Sequence, residues 1–146
     1  MKELPWAVVL LMGGGFALSD GIKESGMLES LSGGVVALSH WPHWLLPLAS
    51  AGVVTVVTEV ASNTATASIF LPVLVKLDLP YNLMLIPATL ACSLAFMLPN
   101  ATPPNAIVYS TGIIEVKDML LPGLMLNIAG VVLVALWSLT AGHVLF

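Results

Sequence analysis

The chain is a succession of long apolar runs broken at a few places by polar residues. Residues 4–19 form the first run, with Pro5 and Trp6 near its start, and predict a membrane span with Trp6 as an interfacial anchor. Within it Gly13-Gly14-Gly15 predicts close helix packing or a local break. Phe-Ala-Leu-Ser follows those glycines, so the Gly-Lys-Ser/Thr of a phosphate-cradling loop is missing. Over residues 20–30, Asp20, Lys23, Glu24, Ser25, Glu29 and Ser30 alternate with Ile22, Met27 and Leu28, an amphipathic pattern that suits the membrane surface. Residues 20–44 are expected to be an interfacial segment. It ends in His40-Trp41-Pro42-His43-Trp44, which reads as an aromatic belt: Pro42 disfavours a regular helix, and no carboxylate or thiol lies nearby to complete a metal site.

Residues 45–77 cannot be one straight helix. At 1.5 Å per residue they would reach about 50 Å, against a hydrocarbon core of about 30 Å, and would hold Glu59 in lipid. The break is signalled at Ala61-Ser62-Asn63-Thr64, where cap and turn formers interrupt the apolar run. Two short arms, 45–58 and 65–77, joined by a polar tip predict a re-entrant hairpin. Such a tip is tolerated at membrane depth only against protein or a water-filled cavity. A second break follows. Residues 81–98 are apolar, then Pro99-Asn100-Ala101-Thr102-Pro103-Pro104-Asn105 stops the helix, since consecutive prolines remove donors and clash with the preceding turn. Thr102 before Pro103 reads as an N-cap with proline at the first helical position, so residues 81–111 form a discontinuous membrane helix. A charged turn over 112–118 leads into a last span, 120–146, with Trp137 near its end.

Composition supports the membrane reading. Only 8% of the 146 residues are charged and 58% are apolar, whereas a soluble chain carries roughly 25% charge. The charged positions are also clumped: none falls between Glu29 and Glu59, between Asp78 and Glu115, or after Asp118. A formal net charge of −4, with no arginine, excludes a basic nucleic-acid surface. Lys2 and Glu3 ahead of a glycine-interrupted run do not make a signal peptide, so the opening stretch is expected to belong to the mature protein. Cys92, alone in an apolar run, reads as a small buried hydrophobe. No nucleophile-base pair, metal-ligand cluster or paired carboxylate stands at workable spacing, so no enzyme is expected.

Each break sets a helix C-terminus, with unpaired carbonyls, beside a new N-terminus with unpaired amides. The first suits a cation and the second an anion, and paired discontinuous helices are the recurring binding construction of secondary transporters. All four lysines, Lys2, Lys23, Lys76 and Lys117, lie at segment edges. A bound anion would then rely on helix dipoles, hydroxyls, amides and a coordinated cation held by backbone carbonyls, Asn63 and threonine oxygens. The expectation is cation-coupled anion transport. Glu59, the one acid within an uncharged stretch, has two open readings: an intramembrane functional group, or a structural group near the tip with a hydrogen-bonding or charged partner. It stays outside the candidate site.

Residues 58–74, TEVASNTATASIFLPVL, and 96–112, FMLPNATPPNAIVYSTG, supported by WAVVLLMGGGFALSDGIKESG at 6–26, resemble the divalent anion/sodium symporter family of sodium-coupled di- and tricarboxylate transporters, in its C-terminal half. The resemblance implies an all-α membrane protein, one inverted repeat of an elevator-type transporter. It also implies a sodium site at Thr58, Ala61, Asn63 and Ala101, largely through carbonyl oxygens. Ser62, Asn63, Thr64, Thr102 and Pro103 would face the substrate carboxylate. The implied partners are a di- or tricarboxylate anion, the lipid bilayer of the cell membrane, and a second copy in a homodimer of the full transporter.

Ser-Asn-Thr occurs once, so the other repeat, with its own sodium site and part of the substrate contacts, is expected from a missing N-terminal half or a partner chain. Asn100 is more polar than the family pattern leads one to expect, which bears on substrate preference. A fragment of a full transporter is the simplest account, and a half-transporter paired with another chain is a second. With three crossings, Lys2 and Lys117 fall on one side and Lys23 and Lys76 on the other. That tie sets no orientation by charge and leaves open an antiparallel homodimer. A non-transporting membrane subunit or a remnant that keeps the motif, or a carrier of sulfate or another divalent anion, is the alternative function.

Overall fold

The computed structural model describes residues 6–27, 30, 41–75, 79–81 and 83–140, whose regular structure is helical with no strand among them. The helices are α1 (Trp6–Glu24), α2 (Leu46–Thr58), α3 (Asn63–Val75), α4 (Leu85–Ala91), α5 (Pro103–Ser110) and α6 (Val116–Thr140). By length and composition α1 and α6 are the two helices among the described residues able to cross a membrane.

The centre is built on α2, which touches both α4 and α6, while α4 and α6 also touch each other. Being covered on two sides, α2 buries residues all along its length, from Leu46 and Pro47 through Ser50, Ala51, Val54 and Thr55 to Val57 and Thr58. Its apolar positions join Phe70 and Leu74 of α3, Ala88 and Ala91 of α4, and Leu83, Met84 and Cys92 in one core. Contacts also run from α3 to α2 and α4, and from α1 to α3 and α5.

α6 is arranged opposite to a helix in water. Its buried positions are Gly123, Asn127, Ala135 and Ser138, whereas Leu121, Met125, Leu126, Leu133 and Leu136 face outward. Small and polar residues inside and large apolar ones outside are what a helix packed in lipid shows. Gly123 lets α6 lie directly on the 96–97 backbone: a Cβ there would come 2.5 Å from the Phe96 carbonyl oxygen. Two turns further on, a Cβ on Gly130 would meet the Leu94 side chain at 2.8 Å.

The termini of α5 and α6 follow local chemistry. Gly112, at φ 72°, closes α5 in the left-handed conformation that glycine adopts at no steric cost. The Glu115 amide donates to Asp118 Oδ2 at 2.9 Å, half of a capping box at the start of α6, and Lys117 pairs with Glu115 at 2.8 Å on the exposed surface.

Four expectations change. The glycine triplet does not break the helix: α1 runs unbroken from Trp6 to Glu24, and no described residue lies within 4 Å of a Cβ placed on Gly13 or Gly14. The same helix absorbs residues 20–24, expected on the membrane surface; residues 28–29 and 31–40, His40 included, lie outside the described residues, and His43 is exposed. The arm expected from residue 65 begins at Asn63. The largest change is at the second break, where α4 stops at Ala91 rather than continuing to residue 98. The reason is a set of side chains that take over its backbone hydrogen bonds, described next. Residues 1–5, 76–78 and 141–146, with Lys2, Lys76 and the end of the last expected span, lie outside the described residues.

Candidate functional site

The first break is short. α2 ends at Thr58, where the Val60 and Ala61 amides both turn back to the Val57 carbonyl, at 3.2 and 3.0 Å. α3 opens at Asn63 with Ser62 before it, and the Ser62 hydroxyl oxygen accepts the Ala65 amide at 3.1 Å, the usual N-cap bond to the third helical residue. Thr58 ties this turn to the second break. Its buried hydroxyl donates to the Cys92 carbonyl at 2.7 Å, and its oxygen lies 2.8 Å from Asn63 Oδ1. A hydroxyl has one hydrogen, so both contacts are hydrogen bonds at once when the Asn63 amide is turned to donate its N–H. Cys92 is buried, as a small hydrophobe would be, and its backbone carbonyl is what links the two breaks.

The second break is long, from Cys92 to Thr102, and other parts of the chain satisfy its backbone. Glu59, only 6% exposed, accepts the Phe96 amide at 2.9 Å and the Met97 amide at 3.1 Å on Oε1, with Met97 and Leu98 amides each 3.2 Å from Oε2. Asn127 of α6 adds a side-chain donor to Oε1 at 2.6 Å. From the other side, Asn105 Nδ2 donates to the Ala95 and Leu98 carbonyls, each at 3.0 Å. These groups would otherwise pair within a continuing helix, and buried amides and carbonyls left unmade would be costly. α5 then starts at Pro103 after extended Thr102 (φ −142°, ψ 155°), which occupies the N-cap position without a side-chain cap bond.

The two breaks meet in a small cavity of about 20 Å³ lined by Val60, Ala61, Ser62, Asn100, Ala101 and Phe16 of α1. A space of that size holds one water-sized particle, since roughly 10–15 Å³ on this measure suffices. No described backbone amide is hydrogen-bonded to the Ala61 or Ala101 carbonyl oxygen, and Pro103 and Pro104 have no N–H to offer. The first turns of α3 and α5 begin directly beyond Ser62 and Thr102, so a helix N-terminus follows each break; in α5 the first two helical residues are prolines and present no amide.

Of the candidate sodium ligands, Ala61 and Ala101 line this cavity, while Thr58 and Asn63 touch each other and are not in its lining. Of the candidate substrate contacts, Ser62 lines it; Thr64 and Pro103 are exposed and Thr102 is half-buried, and none of the three is in the lining. Lys23 and Lys117 are exposed on the surface.

The family described as the sodium:sulfate symporter transmembrane region matches residues 1–146, the whole chain. The chain belongs to this family. It is 45% identical over 149 residues to Na(+)/dicarboxylate cotransporter 3 of Rattus norvegicus, covering 99% of this chain and 25% of that protein. It is 44% identical over 141 residues to sodium-dependent high-affinity dicarboxylate transporter 3 of Caenorhabditis elegans, covering 93% of the chain and 25% of the relative. Solute carrier family 13 member 1 of Homo sapiens is 47% identical over 137 residues, 91% of the chain and 23% of its own length. The chain thus spans about a quarter of the length of these relatives, consistent with a stretch from their C-terminal half and shorter than the whole of such a half. The named relatives are transporters, not enzymes.

Sequence reasoning placed both breaks and named Asn105 within the second, but missed its bonds to the Ala95 and Leu98 carbonyls and missed Asn127 and Gly123, which also shape that break. A signal was present: Gly123, Asn127 and Gly130 recur at helical spacing in an otherwise apolar run, a small-and-polar face on a membrane helix.

Proposed function

We propose that this chain is part of a sodium-coupled symporter of a di- or tricarboxylate of the succinate or citrate type, contributing one sodium site and part of the substrate site. The observation that carries the reading is the ion-sized cavity where the two breaks meet, lined by Ala61, Ser62, Asn100 and Ala101. Sodium is a hard cation and takes oxygen ligands, as other hard cations do. The carbonyls of Ala61 and Ala101, with the Thr58 and Asn63 oxygens, form such a donor set. The substrate carboxylate lies outside the cavity against Ser62, Asn63, Thr64, Thr102 and Pro103, at the N-termini of α3 and α5. Sodium supplies the positive charge that no described lysine provides there.

In this account α2 and α3 are a re-entrant hairpin, α4 and α5 are the halves of one discontinuous helix, and the chain is one of two inverted repeats of an elevator-type carrier. The other repeat comes from an N-terminal half or a partner chain, and the full carrier is a homodimer in the plasma membrane. The family's sulfate members support a second reading, a carrier of sulfate or another divalent anion, and a non-transporting subunit is the third.

The test is a chimera of the rat cotransporter in which this chain replaces the aligned 149-residue stretch. Uptake of labelled succinate, citrate and sulfate is measured with sodium or with choline in its place. Succinate or citrate uptake that needs sodium is expected. Uptake of sulfate alone favours the second reading, and uptake unchanged in choline contradicts sodium coupling.

A further inference from the structure

We propose that Asn127, seated with Gly123 on the inner face of α6, is a positioning residue that couples this helix to the sodium cavity through Glu59. The inference rests on the sodium reading of the cavity. Asn127 is 4% exposed, and its Nδ2 donates to Glu59 Oε1 at 2.6 Å, between positions 68 residues apart in the chain. The same carboxylate holds the amides of Phe96, Met97 and Leu98. Both walls of the cavity leave from this knot: Ala61 lies two residues after Glu59, and Asn100 and Ala101 follow Leu98 across Pro99. Gly123, one turn before Asn127, brings the α6 backbone against Phe96 and Met97, so closely that a methyl there would overlap the Phe96 carbonyl.

The orientation of Asn127 is set by chemistry. A carboxylate that already receives backbone N–H groups needs a further donor, which the Asn127 amide nitrogen supplies. Its oxygen is left buried without a partner, as is the hydroxyl of Thr55, which lines the same apolar cleft between α2 and α6. An amide kept in an apolar place at the expense of one unmade bond is placed for the bond it does make. If α6 moves, the carboxylate and the 96–98 segment move with it, and the spacing of the Ala61 and Ala101 carbonyls changes. Linkage makes the effect reciprocal: sodium in the cavity stabilises the seated position of α6.

The test uses the full chain in lipid nanodiscs, titrated with sodium chloride against choline chloride at constant ionic strength. Thermal unfolding and hydrogen exchange at the Phe96, Met97 and Leu98 amides are followed. For Asn127→Ala the half-saturating sodium concentration rises roughly tenfold, the scale of one charge-assisted hydrogen bond. Sodium also ceases to slow exchange at those three amides. Thr55→Val, a substitution in the same cleft at a hydroxyl without a partner, leaves the half-saturating concentration unchanged and serves as the control for altered packing. If Asn127→Ala does not fold, Asn127→Gln, which keeps the amide but displaces it by one methylene, carries the test with a smaller shift in the same direction. A lowered melting temperature at every sodium concentration, with half-saturation unmoved, would make Asn127 merely structural and overturn the proposal. An unsubstituted chain that responds identically to sodium and choline would instead overturn the sodium reading on which it rests.

Discussion

The two breaks solve one problem in different ways. At the first, four residues separate α2 from α3, and the turn satisfies itself locally through the Val57 carbonyl and the Ser62 hydroxyl. At the second, the chain stays unwound from Cys92 to Thr102, and its backbone is satisfied by side chains remote in sequence, Glu59 and Thr58 above all. The lesson is that the second break is not autonomous. It takes its shape from the first, because Glu59 and Thr58 belong to the end of α2, and from α6, which supplies Asn127 and the bare surface of Gly123. A cavity formed between a self-sufficient turn and a borrowed one is adjustable from the borrowed side.

That asymmetry can be broken experimentally. Glu59→Leu should have the largest effect, because it leaves the Phe96, Met97 and Leu98 amides without an acceptor. At roughly 1–3 kcal/mol for each buried donor left unmade, the chain should lose several kcal/mol in denaturant titrations in mixed micelles, and the three amides should exchange fast. Gly123→Ala comes next. Its methyl meets backbone rather than a flexible side chain, and overpacking of this kind costs about 1–3 kcal/mol; the same titration reads it, with faster exchange confined to the second break.

Smaller effects belong to the first break. Ser62→Ala removes the cap bond to the Ala65 amide and should cost about 1 kcal/mol, with fraying at the start of α3 and no change at residues 96–98. Gly13→Ala lies outside both breaks, in open space on α1. It should stabilise the helix by about 0.5–1 kcal/mol, visible as slower exchange in α1 alone. If Gly13→Ala destabilised the chain as Gly123→Ala does, the contrast between an open and a packed glycine would fail.

How much of this was legible in the sequence depends on the range of the interactions. The first break was readable because its causes are local: an overlong apolar run, an acid within it, and a cap-forming Ser-Asn-Thr. The start of α5 was readable from Thr102-Pro103 for the same reason. The early end of α4 was not, since residues 92–98 are apolar enough to continue a helix. They fail to do so because Glu59 and Asn105 bind their backbone, a cause visible only once the chain is folded. Glu59 shows the same limit from the other side: its isolation in an apolar stretch marked it, but its hydrogen-bonding partners lie 37 to 39 and 68 residues away. The glycine triplet did not mark a break, since α1 runs through it, and no described residue approaches a Cβ placed on Gly13 or Gly14.

The central claim, that the two breaks enclose one sodium site, is tested most directly by the thermal stability of the full chain in nanodiscs as sodium replaces choline at constant ionic strength. The account predicts a saturable rise in melting temperature that is specific to sodium. In Asn63→Ala that rise should vanish while the helical circular dichroism is retained. Equal melting temperatures in sodium and choline, or a sodium response that survives Asn63→Ala unchanged, would contradict it.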